Sequence, residues 1–217
     1  MALTGPQRGL FITLEGGEGC GKSTQAWRLL DFLKEAGREV VMTREPGGSP
    51  EAETIRQLLL AGLVKPFGPD AEALFFAVAR RDHVENVIRP ALGQGTWVIS
   101  DRFADSTRAY QGTAGASSDK LDRLEEIAVG ETRPDLTLIL DLDPREGLRR
   151  AALRSIADRF EADGLEIHAA RRKAFLDIAA AEPGRCVVID ASRGEEEVAA
   201  SIRAAVGERL GISGPAS

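Results

Sequence analysis

Cysteine and histidine are scarce in this chain of 217 residues. The two cysteines, Cys20 and Cys186, lie far apart without the close spacing of metal ligands, and only two histidines accompany them, so we expect no zinc site. His83 and His168 have no partner at the spacing of a metal site or a catalytic pair, which predicts surface or helix-packing roles. This cysteine usage fits a reducing compartment best.

Long apolar runs and an excess of basic charge are also missing. No apolar run approaches the roughly 20 residues that span a bilayer, and the start of the chain lacks the basic-then-apolar pattern of a signal peptide. We therefore predict a cytoplasmic protein. A formal net charge of −6 argues against a surface that binds nucleic acid through its phosphate backbone. Only five of the 28 basic residues are lysines, and the planar fork of arginine suits phosphate oxygens at local sites.

Short β-branched runs alternate with longer stretches of helical periodicity, a pattern typical of a parallel sheet covered by helices on both faces. The sequence therefore predicts an α/β fold with a doubly wound, five-stranded parallel sheet. We expect one domain over 1–217, with flexible tails at 1–8 and 211–217. The predicted strands are Leu10–Glu15, Glu39–Thr43, Trp97–Asp101, Leu136–Asp141 and Cys186–Asp190. The predicted helices lie near 22–36, 50–62, 70–92, 119–130, 144–157, 163–181 and 194–209.

A glycine-rich segment, GGEGCGKST, joins the first predicted strand to the first predicted helix and fits the P-loop pattern G-x-x-x-x-G-K-[ST]. In such a loop backbone N–H groups turn towards the phosphates, Lys22 reaches the β- and γ-phosphates, and Ser23 supplies a hydroxyl to Mg²⁺. The segment does not fit the dinucleotide-binding pattern G-x-G-x-x-G, because Lys22 stands where that pattern needs its last glycine. The remaining alternative to a P-loop is a glycine-rich turn that binds no ligand. The predicted nucleotide-binding residues are Gly16, Gly17, Glu18, Gly19, Cys20, Gly21, Lys22, Ser23 and Thr24.

Four further segments narrow the choice among P-loop proteins, which include nucleotide kinases, GTPases, motor ATPases and transport ATPases. They read TREPGG, FFAVAR, DRF and STRAYQ, beginning at residues 43, 75, 101 and 106. Together with the P-loop they closely resemble the thymidylate kinase family, in order from about Phe11 to Ala191. The resemblance implies a P-loop NTPase fold with a helical lid, transfer of the γ-phosphoryl group of Mg-ATP to dTMP, Mg²⁺ as the cofactor, and a homodimer.

Asp101 and Arg102 end a predicted buried strand near the P-loop. Ligands of an open parallel sheet gather beyond the carboxyl ends of its strands. The Asp101 carboxylate can therefore lie close to Mg²⁺, and the Arg102 guanidinium can hold the phosphate of the acceptor. The alternative is that the two side chains only satisfy each other.

The resemblance assigns the other contacts of the acceptor. It implies that Phe76 stacks on the thymine ring and that Arg80, one helical turn later on the same face, donates to a base carbonyl. Phe75 would then point into the core; a core role for Phe76 itself is the alternative. The remaining implied substrate contacts are Arg56 on the phosphate, Glu18 and Tyr110 on the sugar, Thr107 and Gln111 near the base edge, and Glu45 in the TREPGG segment.

An arginine-rich segment over 148–162 resembles the lid that closes over ATP in this family. Phosphoryl transfer depends on positioned cations and on the exclusion of water, which a lid supplies. Glu18 in the P-loop matches the branch that places its catalytic arginine in the lid. We predict Arg154 and Arg159 as catalytic residues beside Lys22 and Arg102, with a solvated helix face as the alternative for the two lid arginines.

Two other functions compete with this interpretation. A kinase for another nucleoside or nucleotide would share the P-loop and the Asp101–Arg102 pair but would need base contacts other than Phe76 and Arg80. A GTP-binding switch should contain a guanine-reading N-K-x-D stretch, and the sequence has none.

Overall fold

Five parallel strands form a sheet in the computed structural model, which describes residues 8–153, 160 and 163–212. The strands are β1 (Phe11–Gly16), β2 (Val40–Arg44), β3 (Trp97–Asp101), β4 (Leu136–Asp141) and β5 (Cys186–Asp190). Their order across the sheet is β2-β3-β1-β4-β5, and each neighbouring pair is parallel. The predicted fold class is confirmed, and the first two strands are shifted by one residue from their predicted bounds.

Helices connect the strands and cover the sheet. The α-helices are α1 (Lys22–Glu35), α2 (Pro50–Leu60), α3 (Pro69–His83), α4 (Arg89–Gly93), α5 (Ala104–Thr113), α6 (Ser118–Val129), α7 (Pro144–Ala152), α8 (Leu165–Ala181) and α9 (Glu195–Leu210). A 3-10 turn (Lys65–Phe67) precedes α3, and a π-helical turn (Val84–Ile88) joins α3 to α4. None of the helices in the described part of the chain is both long and apolar enough to cross a bilayer.

Alternation along the strands divides the core between the two faces of the sheet. On one face Ile12 and Leu14 of β1 belong to a buried cluster that includes side chains of α1 and α9. On the other face Phe11 belongs to a second cluster, with side chains of α3, α6 and the π-helical turn. Successive residues of a strand point to opposite faces, so each central strand anchors both layers of helices.

Two helical features differ from the sequence-based expectation. Helix α5 was not predicted, because its Ser, Thr and Gly residues are weak helix formers. The helix predicted over 70–92 is interrupted by the π-helical turn before it continues to Gly93. Pro90 has no N–H group for the α-helical hydrogen bond, and this accounts for the change of register just before it.

The strand register brings the sequence motifs to one edge of the sheet. Leu14 of β1 and Arg44 of β2 both pair with Asp101 at the end of β3, and the P-loop starts where β1 ends. The P-loop, the TREPGG segment and the Asp101–Arg102 pair therefore meet at the carboxyl ends of β1, β2 and β3.

Candidate active site

A cavity of about 810 Å³ lies at this edge. Its volume is in the range of small-molecule sites. It is lined by every predicted site residue within the described part of the chain except Gly16 and Gly17, namely Glu18, Gly19, Cys20, Gly21, Lys22, Ser23, Thr24, Glu45, Arg56, Phe76, Arg80, Asp101, Arg102, Thr107, Tyr110 and Gln111. The structure thus brings the predicted donor and acceptor residues together.

Lys22 begins α1 and is almost completely buried under the P-loop. Its Nζ donates to the backbone carbonyls of Gly16, at 3.1 Å, and Gly17, at 2.7 Å. It also lies 3.5 Å from Cys20 Sγ. These contacts hold the positive charge across the loop, where the loop's N–H groups would surround a phosphate.

A close backbone contact joins the P-loop to α7. A Cβ atom on Gly19 would lie 1.9 Å from the carbonyl oxygen of Gly147, and a Cβ on Gly147 would lie 2.3 Å from the carbonyl oxygen of Glu18. Both distances are impossible for a real side chain. The loop and the first turn of α7 can therefore approach this closely only because both positions are glycine.

Ser23 and Asp101 are brought together from α1 and β3. The Ser23 hydroxyl donates to Asp101 Oδ2. One hydroxyl and one carboxylate are suitable ligands for Mg²⁺, which keeps several waters and takes its other ligands from substrate phosphates. The described residues contain no group of three or more His, Cys, Asp or Glu able to hold a metal. A phosphate-associated Mg²⁺ does not need such a group, so the two side chains fit it.

Arg102 has a left-handed backbone, with φ at 71°. Its guanidinium donates through Nη1 to the carbonyl of Gly16 and to Ser106 Oγ, both at 3.2 Å, and through Nη2 to Glu18 Oε1 at 2.9 Å. It also lies over the ring of Tyr110, 5.1 Å from the centroid. These partners differ from Asp101, so the simple Asp101–Arg102 ion pair considered from the sequence is not what the structure shows.

Glu18 carries a negative charge into the middle of the site. Its Oε1 accepts a hydrogen bond from the Tyr110 hydroxyl at 2.5 Å, as well as the one from Arg102. Burial alone would raise the pKa of the Glu18 carboxyl, but the charges of Arg102 and Lys22 and the Tyr110 hydrogen bond outweigh it and lower the pKa to about 2. Glu18 is therefore ionised at neutral pH and can accept a hydrogen bond from a ligand.

Glu15, which sequence reasoning missed, fixes the start of α5. Its Oε1 accepts from the backbone N–H of Phe103, at 2.8 Å, and of Ser106, at 3.2 Å, and its Oε2 accepts from Ser106 Oγ at 2.6 Å. Phe103 is the N-cap residue of α5, so a β1 side chain does what a capping box does within a helix. Burial, followed by the charge of Asp105, raises the pKa of Glu15 to about 8.

Arg80 on α3 lies behind the predicted base site. Its Nε donates to Glu45 Oε2 at 2.7 Å, and its Nη2 donates to the carbonyl of Phe103 at 3.1 Å and to Thr107 Oγ1 at 3.0 Å. Both partners of the Arg80–Glu45 ion pair are almost completely buried. These contacts give Glu45 a clear position, beside the arginine and on the edge of the cavity.

Phe76 and Arg56 line the same cavity from α3 and α2. Phe76 is half-buried, as a ring available to a ligand would be. Arg56 Nη1 donates to the carbonyl of Pro46 at 2.6 Å, which ties α2 to the TREPGG segment. Phe75 is also half-buried and does not enter the core, so the expectation for Phe75 was wrong. Helix α3 has a core side formed by smaller residues such as Ala73 and Ala77.

The predicted lid begins within α7. Arg154 and Arg159 lie outside the described residues, and α7 already includes the first predicted lid residues, 148–152. Phe160 lines the cavity, and its ring meets the ring of Tyr110 edge-on with centroids 5.3 Å apart.

Sequence reasoning missed the loop after β5, which forms one side of the cavity together with Arg150 of the predicted lid segment. Arg150 Nη1 donates to the carbonyl of Ala191 at 3.1 Å, and Arg193, Gly194 and Glu195 complete this wall. The available signal was the position of the loop at the carboxyl end of a strand.

Comparisons with known proteins agree with this geometry. The family model described as Thymidylate kinase matches residues 14–202. The chain is 53% identical to the thymidylate kinase of Bradyrhizobium sp. (strain ORS 278), over 95% of this chain and 93% of that one. It is 54% identical to that of Caulobacter vibrioides, over 94% and 99%. The chain belongs to the thymidylate kinase family.

A solved thymidylate kinase supports the assignment at the level of structure. The crystal structure of the enzyme from Ehrlichia chaffeensis superposes with a TM-score of 0.76 at 33% sequence identity, covering 92% of this chain and 99% of that one. The resemblance to the thymidylate kinase family and the P-loop NTPase fold, both predicted from the sequence motifs, are thereby confirmed.

Proposed function

We propose that this protein transfers the γ-phosphoryl group of ATP to dTMP, giving ADP and dTDP for dTTP synthesis. The observation that carries the proposal is that a single cavity of about 810 Å³ is lined by both the P-loop and the predicted dTMP contacts, in a member of the thymidylate kinase family. Both substrates can therefore bind with their phosphates at the carboxyl edge of the sheet. Direct in-line transfer between them needs no covalent intermediate.

On the acceptor side, arginines hold the phosphate while apolar and polar groups hold the nucleoside. Arg102 and Arg56 bind the phosphate of dTMP as cations with planar donor groups. Glu18 accepts a hydrogen bond from the 3′-hydroxyl, and Tyr110, which holds Glu18 by its own hydroxyl, packs against the sugar. The contacts to thymine come from Phe76 by stacking, Arg80 by donation to the 4-carbonyl, and Thr107 and Gln111 near the base edge.

On the donor side, the P-loop binds the phosphates of ATP. Lys22 stabilises the charge of the transferring group, and the backbone N–H groups of 16–24 surround the β-phosphate. Ser23 and Asp101 would hold Mg²⁺, which would neutralise phosphate charge when bound. Arg154 and Arg159 act from the lid once it covers ATP. The wall formed by Arg150 and the loop after β5 faces the nucleoside of ATP.

The family resemblance extends the proposal to the whole protein: a single-domain homodimer of the cytoplasm. Helices α2 and α3 pack together, and exposed apolar side chains lie on α3 (Leu74 and Val78) and on the segment that joins the two helices (Leu63 and Phe67). A two-fold axis brings such a surface against its own copy, so a self-complementary apolar face suits a symmetric dimer. Both described cysteines are free and buried, which suits a reducing compartment.

Steady-state turnover with a panel of acceptors tests the function. ADP release measured with dTMP, dUMP, dCMP, dGMP and AMP should give a higher kcat/KM with dTMP than with dCMP, dGMP or AMP, because only thymine and uracil offer Arg80 a 4-carbonyl. Equal or faster turnover of AMP would show a kinase for another nucleotide. Slow hydrolysis that no acceptor accelerates would indicate a P-loop switch.

A further inference from the structure

His83 is fully buried at the end of α3, inside a polar network. Its Nδ1 lies 3.0 Å from Glu45 Oε1, and its Nε2 lies 2.7 Å from Thr43 Oγ1. A carboxylate can only accept, so Nδ1 must carry the proton of the first hydrogen bond. The imidazole thus links the end of β2 to the segment that follows it.

Glu45 passes this constraint to Arg80. Its two oxygens are divided between His83 and Arg80 Nε, the latter at 2.7 Å. Arg80 Nη2 is held by Phe103 and Thr107. Because the guanidinium is planar, fixing Nε and Nη2 also fixes the direction of Nη1. Among the described residues Nη1 has no hydrogen-bond acceptor, and Arg80 lines the cavity, so this nitrogen remains for a ligand.

The imidazole has no room to move out of this network. A Cβ on Gly48 would lie 2.4 Å from His83 Nε2 and 2.6 Å from Thr43 Oγ1, so the TREPGG backbone lies directly against the ring. A side chain confined in this way holds its hydrogen-bond partner in one orientation.

We propose that His83 is a positioning residue for acceptor selectivity: it holds the Glu45 carboxylate, and through it the Arg80 guanidinium, at the angle needed to recognise a 4-carbonyl on a pyrimidine base. This inference rests on the proposed function. His83 touches neither substrate; it acts through Glu45. Removing it leaves a buried carboxylate oxygen without its donor, and the Glu45–Arg80 pair then reorients.

The pair dUMP and dCMP tests this effect, because the two bases have nearly the same shape and differ only along one edge: uracil has a 4-carbonyl and an N3–H group, and cytosine has a 4-amine and an unprotonated N3. In His83→Ala the ratio of kcat/KM for dUMP over dCMP should fall about tenfold, and KM for dTMP should rise by a similar factor. KM for ATP should stay within about twofold, since in the described part of the chain no hydrogen bond joins the P-loop directly to His83, Glu45 or Arg80.

Two conservative variants test whether the acceptor preference depends on Nδ1 or on Nε2 of the imidazole. The amide nitrogen of Asn can replace Nδ1 and donate to Glu45, whereas that of Gln reaches the place of Nε2. His83→Asn should therefore retain most of the dUMP preference, and His83→Gln should lose it. Thr43→Val removes only the hydroxyl that contacts Nε2 of His83, so it should have a smaller effect than His83→Ala. Equal ratios in His83→Asn and His83→Gln would overturn the proposal.

A double-mutant cycle with Arg80→Met separates positioning from general stability. Once Arg80 is absent, adding His83→Ala should leave the dUMP-to-dCMP ratio unchanged, although both changes lower the melting temperature. An additive loss in the ratio, or parallel increases in KM for dTMP and ATP, would make His83 purely structural. If wild-type protein prefers an acceptor other than dTMP, the proposed function fails, and the same cycle run with that acceptor and its amine-for-carbonyl analogue still decides the role of His83.

Discussion

Arg102 occupies an unfavourable backbone conformation in order to place its side chain. A non-glycine residue in the left-handed region costs about 1 kcal/mol or more. Within the described part of the chain, Arg102 is the non-glycine residue that has a positive φ. Its three hydrogen bonds and its position over Tyr110 offset this cost. The strain at the end of β3 therefore marks a residue whose direction matters more than its local stability.

Arg102→Lys tests the value of the fork at this position. Lysine keeps the charge but lacks the planar fork that binds phosphate bidentately. We expect KM for dTMP to rise by about tenfold, with KM for ATP nearly unchanged. Steady-state kinetics with each substrate varied in turn provides the measurement.

Arg108→Lys is the matched control for that experiment. Arg108 pairs with Asp105 and Glu182 and does not line the large cavity, so its replacement should affect the melting temperature without changing KM for dTMP selectively. An Arg102→Lys protein that is stably folded and has a normal KM for dTMP would remove Arg102 from the acceptor site.

Among the secondary-structure elements, the short helix α5 contributes several side chains to the cavity. It presents Ser106, Thr107, Tyr110 and Gln111 to the cavity, although its sequence does not favour a helix. Glu15 of β1 stabilises its first turn from outside. A contact across 88 residues of sequence fixes a helix that local propensity would not.

The pH dependence of stability should reveal Glu15. The pKa of Glu15 is raised in the folded protein from 4.5 to about 8, so the protonated carboxyl favours the folded state. This stabilisation is fully present below about pH 4.5 and is lost as the pH rises through 8. Between pH 6 and pH 9 the wild type should lose about 3 kcal/mol of unfolding free energy through this group.

Glu15→Gln cannot ionise and keeps one acceptor for the N–H groups of Phe103 and Ser106. Urea unfolding of both proteins at pH 6 and pH 9 should therefore show a flatter pH dependence for the variant. Glu15→Ala, which leaves both N–H groups without an acceptor, should lose on the order of 3 kcal/mol at pH 6. The difference should be much smaller at pH 9, where the wild type has itself lost most of the contribution of this group. An identical pH dependence in wild type and Glu15→Gln would place the titration elsewhere.

The sequence predicted the parts of the site whose residues are close together in the chain. It did not predict the parts whose residues come from distant segments. The P-loop and the five strands follow from spacing and β-branched runs, and their bounds differ by no more than one residue. The network of His83, Glu45 and Arg80 joins residues 38 and 35 positions apart, and no local pattern indicates it. For the same reason a histidine that looked chemically idle in the sequence proved to be fully buried beside the site.

At the scale of the whole molecule, the α2–α3 surface should determine the oligomeric state. Replacing Leu74 and Val78 together by Glu puts two charges on neighbouring turns of α3, where the wild-type side chains are 49% and 51% exposed. In a symmetric dimer each change occurs twice, so the variant should be a monomer by light scattering at micromolar concentration while retaining its secondary structure.

Trp27→Glu is the control for the dimer experiment. Trp27 is comparably exposed, at 58%, but lies on α1, the helix that covers the opposite face of the sheet. This variant should keep the mass of the wild type. A Leu74/Val78 double variant that also keeps that mass would exclude this surface as the dimer interface.

The contact between Gly19 and Gly147 has a further consequence for how variation in such a protein should be interpreted. Each glycine is needed because of the backbone opposite it, so a second substitution at the other position could not rescue a first. In a mutational scan Gly147 would then rank with the glycines of the P-loop, although it lies in α7, outside the P-loop and the other four motif segments. Intolerance to substitution at this position of α7 would reflect only the lack of space for one additional carbon atom.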